Sequence, residues 1–339
     1  MKIRTGVFCA VFLACLALPR MGSAADDNTP RTGCDILVPD AWTPGRKIGN
    51  TPPERPDPQK AFAVCREAVA QFPGSPRLLW KLGSVYERGK RFPEAAAAYQ
   101  KAAQAGYAPA QGALGIMYVT GRGVPQDNAQ ARGWLRMAAD QGFAPAQSNL
   151  GLMYERGRVA PRDDGQAVIW FQKAADQEFA PAQYHLGRIY TRARRFRDAA
   201  AQYQKAAEAG YAPAQNSLGI LILSVTGPSV QKDEAQAKAW FQMAAGQGFA
   251  PAQNNLGVMY EQGRAVLRDA AQAAEWYRKA AEQGLAEAAY HLGLLYQKGF
   301  GVPKDDAQAA MWLRRAKERG YTPKPGTPLI GDEGMPALD

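Results

Sequence analysis

Six stretches of thirteen residues recur along this chain in nearly the same words. They are GYAPAQGALGIMY (106–118), GFAPAQSNLGLMY (142–154), EFAPAQYHLGRIY (178–190), GYAPAQNSLGILI (210–222), GFAPAQNNLGVMY (248–260) and GLAEAAYHLGLLY (284–296). Counting one further copy upstream, the leucine of each Leu-Gly pair falls at Leu82, Leu114, Leu150, Leu186, Leu218, Leu256 and Leu292, in steps of 32, 36, 36, 32, 38 and 36 residues. Units of this size cannot bury their apolar faces alone, so they must stack on one another as a solenoid.

Each unit reads as two helices. In 108–142, Pro109 suits the first helical position, where a missing N–H is not needed. Ala110, Leu114 and Met117 then share one face at helical spacing. Gly115 is unfavourable inside a helix by about 1 kcal/mol relative to alanine, and its recurrence beside every register leucine predicts the close approach of a neighbouring helix. GRGVPQD (121–127) breaks the helix, and Asp127 can cap the next one. Ala131, Trp134, Leu135 and Ala138 form the second apolar face, and Gly142 ends it in a left-handed turn.

The units are of two kinds. Tyr118–Trp134, Tyr154–Trp170, Tyr260–Trp276 and Tyr296–Trp312 are each 16 residues apart, and Ile222–Trp240 are 18 apart. In the units of Tyr86 and Tyr190 the spacing is 12, ending at Ala98 and Gln202. The short units lack both the longer loop and the tryptophan, which predicts that each tryptophan packs under its own loop.

With its Leu-Gly-x-x-Tyr core, its Gly-x-Gly-Val loop and the following Trp-[Leu/Phe/Tyr]-x-x-Ala-Ala, the chain resembles the Sel-one-like repeat (SLR) family, relatives of the tetratricopeptide repeats. AQGALGIMYVTGRGV with WLRMAA shows the pattern best. The resemblance spans roughly 76–320, with 81–106 and 185–210 departing towards the tetratricopeptide form. It implies an all-α, right-handed superhelical solenoid of about seven helix pairs. It also implies a non-enzymatic adaptor or regulator whose protein partner sits on the concave face.

The flanks add a compartment. Lys2 and Arg4, the apolar run 7–18 and the small residues Gly22 and Ala24 have the form of a signal peptide over 1–24. Its removal takes away Lys2, Arg4 and Arg20 and lowers the formal charge from +10 to +7. The reading is therefore a periplasmic or secreted protein with no later transmembrane segment; FLAC (12–15) offers lipidation at Cys15 as the competing process. Cys34 and Cys65 remain, and in an oxidising compartment such a pair forms a disulfide. It would tie the Pro-rich segment 25–56 to a capping helix over 57–75. The tail 321–339, rich in proline and glycine, is read as flexible.

Little here suits catalysis. The chain has two histidines, His185 and His291, separated by three repeat steps, so neither a metal nor a cofactor is expected. SVQK (229–232) matches the S-x-x-K element of penicillin-recognising enzymes, an activity associated with some SLR proteins, but the S-D-N and K-T-G elements are missing. The repeated residues are occupied with stacking, so recognition falls to positions that vary. The residue before each Leu-Gly forms such a row: Ala113, Asn149, His185, Ser217, Asn255 and His291. The turn RARRFR adds Arg192, Arg194, Arg195 and Arg197, the densest positive spot, which suits an acidic partner or an anionic polysaccharide. A nucleic-acid partner is not expected of an exported chain with no dense basic run.

Overall fold

The computed structural model describes residues 27–38, 57–158, 161–224 and 233–323. Within them the chain is all helix. A short helix α1 (Gly33–Leu37) and a longer α2 (Pro58–Gln71) precede seven pairs. The pairs are α3 (Pro76–Arg88) with α4 (Phe92–Gln104), α5 (Ala108–Thr120) with α6 (Asn128–Asp140), and α7 (Ala144–Glu155) with α8 (Asp164–Ala175). They continue as α9 (Ala180–Arg192) with α10 (Phe196–Glu208), and α11 (Ala212–Ser224) with α12 (Glu234–Gly246). Last come α13 (Ala250–Gln262) with α14 (Ala270–Glu282), and α15 (Ala286–Lys298) with α16 (Asp306–Glu318). Each helix packs on the one before and the one after it. The signal segment with Cys15, the Ser229–Lys232 motif and residues 324–339 lie outside the described residues.

Local chemistry sets the helix ends as the sequence implies. Asp127 Oδ1 accepts from the backbone N–H groups of Ala129 (2.8 Å) and Gln130 (3.0 Å). Asp163, Asp233, Asp269 and Asp305 cap their helices in the same way. Pro109 is the second helical residue rather than the first, a position whose N–H is equally unneeded. Gly142 adopts φ +87° and Gly248 φ +82° at the turn into the next unit, and Glu178, which replaces that glycine, keeps the left-handed form at φ +61°.

The recurring glycine is where the two helices of a pair meet. A Cβ on Gly115 would lie 2.7 Å from Leu135, on Gly187 2.5 Å from Tyr203, and on Gly219 2.7 Å from Phe241. The side chain that follows the register tryptophan, or Gln202 in the short unit of Tyr203, thus seats itself against the bare backbone of its partner helix. Trp134 and Trp312 share apolar clusters with Val124 and Val302 of their own loops. Trp170 packs with Ala131, Leu135 and Met153, so its ring ties its helix to the preceding repeat; residues 159 and 160 of its own loop lie outside the described residues. Arg136 and Lys173 cover that ring, at 4.9 and 4.2 Å from its centroid. The longer loop is also held from behind. Gly123 and Gly301, both at φ +71°, pass so close to the backbone at Phe92 and Ala270 that no side chain fits there.

A polar ladder crosses the repeats, built from the glutamine of APAQ. Gln111, Gln147, Gln183, Gln215 and Gln253 are all buried. Each donates its amide to a carbonyl at the end of the previous helix, as Gln147 does to Ala139 O at 3.0 Å. Four of them then accept from a glutamine at the end of their own pair's second helix: Gln141 to Gln111 (2.7 Å), Gln177 to Gln147 (2.8 Å), Gln247 to Gln215 (2.9 Å) and Gln283 to Gln253 (2.8 Å). The corresponding residue for Gln183 is Ala209, and Gln183 Oε1 is buried without a partner. Satisfying a buried acceptor contributes about 1 kcal/mol. Ala209→Gln is therefore expected to stabilise the chain by about that amount; a thermal midpoint at or below wild type would count against this account of the ladder.

The amino-terminal end is held by a covalent bond and by charge. Cys34 and Cys65 form a disulfide, fixing α1 to α2. Lys81 is 2% exposed, and its ammonium donates to Val38 O at 2.5 Å and lies 3.4 Å from Asp35. Arg77 pairs with Asp35 and donates to Thr29 O at 2.9 Å. Residues 27–38 thus hold two cations of α3, with Asp27 and Asp35 supplying the opposite charge and backbone carbonyls accepting their hydrogen bonds.

Candidate functional site

The row before each Leu-Gly pair does not form one surface. Asn255 and His291 are buried at 2% and 3% exposure. Asn255 donates to Asn216 Oδ1 of α11 (2.9 Å), and His291 stacks on Tyr277 with ring centroids 5.0 Å apart. His185 stacks in the same way on Phe171, also at 5.0 Å. Burial pushes its imidazole down to about 4 against the pull of Glu155, so it is neutral at ordinary pH. Ser217 is partly buried. These side chains fill the seam between consecutive repeats, a direction that 3.6-residue periodicity alone does not distinguish from solvent.

The basic turn is also less free than its sequence suggests. Arg192 Nη1 donates to buried Glu155 at 2.7 Å, and Arg195 pairs with Asp198 at 2.7 Å while lying over Tyr190. Arg194 takes the left-handed conformation at φ +56°. Arg197 is exposed.

Glu155 explains why Arg192 turns inward. In the equivalent place Tyr99 donates its hydroxyl to Glu87 (2.9 Å) and Tyr277 to Glu261 (2.7 Å). Burial first, then the nearby carboxylate, raises the pKa of both phenols, so they remain donors. Phe171, in the place of those tyrosines, has no hydroxyl, and Glu155 Oε2 is buried without a hydrogen-bond partner, 3.8 Å from His185 Nδ1. Phe171→Tyr is expected to supply that hydrogen bond and raise stability by about 1 kcal/mol. A lower thermal midpoint would mean the hydroxyl has no room.

Ala113 and Asn149 do share a concavity. A groove of ≈ 330 Å³ crosses the first helices of three successive pairs, α3, α5 and α7. Trp80, Tyr99, Ile116, Phe143, Pro145 and Phe179 supply its apolar wall, and Ile116 is 40% exposed. Ser84, Glu87, Asn149 and the Tyr99 hydroxyl supply its polar side-chain groups, and no lysine, arginine or histidine lines it. Asn149 Nδ2 donates to Pro145 O (2.9 Å), which turns its Oδ1 into an acceptor for a ligand. Sequence reasoning missed Ile116 and Glu87. The available signal was the position two residues after each register leucine, where the chain varies among Ser84, Ile116, Leu152 and Arg188.

Comparison with known proteins agrees with this architecture. The Sel1 repeat pattern matches residues 108–143, 144–179, 203–211, 212–249, 250–285 and 286–321. It leaves out the first pair and residues 180–202, all of α9 and the first half of α10, the two places where the tryptophan is missing. A protective antigen of uropathogenic Escherichia coli strains, solved with an SLR fold, is 35% identical at a TM-score of 0.60, covering 78% of this chain. This chain spans 58% of that protein's solved length. A Sel1 repeat protein from Oxalobacter formigenes is 31% identical at a TM-score of 0.62, covering 71% of this chain and 97% of that one. No protein of curated function matches. With its repeats matched over more than half its length and its helix pairs stacked as in these structures, the chain belongs to the Sel1 repeat family.

Proposed function

We propose that this chain is a non-enzymatic protein-interaction scaffold of the bacterial cell envelope, which binds its partner on the face formed by α3, α5 and α7. Sel1 repeat proteins generally serve as protein-interaction scaffolds. The observation that carries the reading here is the groove across three first helices, with Ala113 and Asn149 in its wall and an exposed isoleucine at its edge. The Cys34–Cys65 disulfide favours an oxidising compartment, hence export. No described helix is long and apolar enough to cross a membrane. The groove's single carboxylate and lack of cations suit a protein better than an anionic polysaccharide, which like charge would repel.

The test is a photo-cross-linking amino acid in place of Ile116, in the full chain expressed in its native envelope, with captured species identified by mass spectrometry. One or two recurrent proteins, absent when the cross-linker is moved to the outer face at Met137, are expected. Capture of glycan alone, or of nothing above the Met137 control, would overturn the reading.

A further inference from the structure

Two loops in the last two helix pairs break the repeat pattern, and each break puts a large apolar side chain in water. The loop inside the long units reads GRGVPQD (121–127), GRVAPRD (157–163), GRAVLRD (263–269) and GFGVPKD (299–305). Leu267 stands where the other three have proline, and Phe300 where the other three have arginine. Leu267 is 91% exposed and Phe300 41%. At that exposure Leu267 adds almost nothing to the stack, since apolar stabilisation follows the area removed from water.

The fold brings the two loops to one corner. Gly301 presses the second loop against the backbone at Ala270, directly after the first. Arg268 joins them, its guanidinium 5.2 Å from the Phe300 ring centroid and its Nε donating to Glu261 O at 2.9 Å. Lys298 and Lys304 flank Phe300 along the chain, and both are exposed. The carboxylates here are engaged. Asp269 and Asp305 accept from the helix N–H groups they cap, and Glu261 accepts from Tyr277. Glu234 pairs with Arg264 at 3.0 Å, and Asp306 lies 3.8 Å from Lys304. Arg268 and Lys298 have no carboxylate partner among the described residues. Two apolar tips thus stand beside two cations whose charge nothing nearby takes up.

We propose that this corner docks on an anionic lipid surface, with Leu267 and Phe300 entering the headgroup layer and Arg268 and Lys298 meeting lipid phosphates. The proposal is independent of the groove across α3, α5 and α7. Shape favours a bilayer over a folded protein. A stable protein interface covers about 800 Å² per partner with matched contours, far more than two projecting side chains supply. A bilayer surface accepts apolar side chains wherever they project, and each nearby cation adds its own attraction to anionic headgroups. A polysaccharide would use the cations and leave Leu267 in water. No described helix is long and apolar enough to span a membrane, so the contact is peripheral.

Flotation of the full chain with vesicles of phosphatidylcholine, with and without phosphatidylglycerol, tests this directly. Binding is expected on the anionic vesicles, weakening with salt, and much less on the neutral ones. Leu267→Ser should lower the partition coefficient about tenfold. Arg268→Gln should lower it about fivefold at low salt, with the difference shrinking as salt rises. Leu267 is almost wholly in solvent, so Leu267→Ser should keep the wild-type thermal midpoint. A polarity-sensitive dye on Leu267→Cys should shift to the blue with anionic vesicles, while the same dye on Met137→Cys, in the second pair, should not. Absence of flotation, equal binding to neutral vesicles, unchanged binding by Leu267→Ser, or a shift at Met137 and none at Leu267 overturns the proposal. A dye at Leu267 that responds to an envelope protein but not to vesicles also overturns it, and gives the corner to a protein partner.

Discussion

Phe241→Ala is expected to destabilise the chain by about 3–5 kcal/mol, the range for deleting a fully buried aromatic ring. Phe241 is 0% exposed and sits in the cluster that joins α10 to α13. Its ring occupies the space that Gly219 leaves open, since a Cβ there would come within 2.7 Å of it. Neither neighbour can close the gap: Gly219 has no side chain, and the α11 backbone is fixed by its own hydrogen bonds. The loss should also be local. In a solenoid each repeat contacts only its neighbours, so coupling weakens with distance along the stack. Hydrogen exchange should show α11, α12 and α13 losing protection while α3 and α4 keep theirs. A loss under about 1 kcal/mol would contradict the close-packing role assigned here to every Leu-Gly glycine.

Replacing Cys34 and Cys65 together by serine is expected to cost about 2–4 kcal/mol, as for other disulfides closing loops of this order. The effect extends beyond chain entropy. Once residues 27–38 can leave, Lys81 loses its hydrogen bond to Val38 O and the charge of Asp35, contacts that hold its ammonium at 2% exposure in the folded chain. Protection in α2 and α3 should fall, and α13 to α16 should be unaffected. Acid probes the same contact. Burial alone would raise the Asp35 pKa, but the Arg77 hydrogen bond, the Thr32 N–H and the charges of Arg77 and Lys81 outweigh it and lower it from 3.8 to about 2. A carboxylate depressed on folding stabilises the fold above its unfolded pKa and loses that contribution as pH falls towards the folded value. Detachment of residues 27–38 in the serine variant should therefore grow between pH 4 and pH 2. An amino-terminal segment equally protected in the variant and in wild type would show that the ion pairs hold it without the disulfide.

Much of this architecture could be read directly from residues. The Leu-Gly register placed the seven pairs, the Asp and Gly punctuation placed their ends, and the glycine beside each leucine announced a helix contact that the structure fills with Leu135, Phe171, Tyr203 or Phe241. The glutamines of APAQ were visible as a repeat but not as a ladder. Their glutamine partners lie 30 or 32 residues later, at the far end of the same pair, and the pairing emerges only when its two helices are folded against each other.

What the sequence determined alone is the unit: its length, its two helices, its caps and the pair of cysteines outside it, because these depend on chain-local chemistry and on a periodicity of 3.6 residues. What only the tertiary structure decided is which side of each first helix meets its neighbour and which meets solvent. A helix presents apolar positions over a broad arc, and the angle at which one pair stacks on the next selects the part of that arc that is covered. That angle buried Asn255 and His291 in the seam, turned Arg192 inward to Glu155, and left Ile116 exposed at the edge of the groove across α3, α5 and α7.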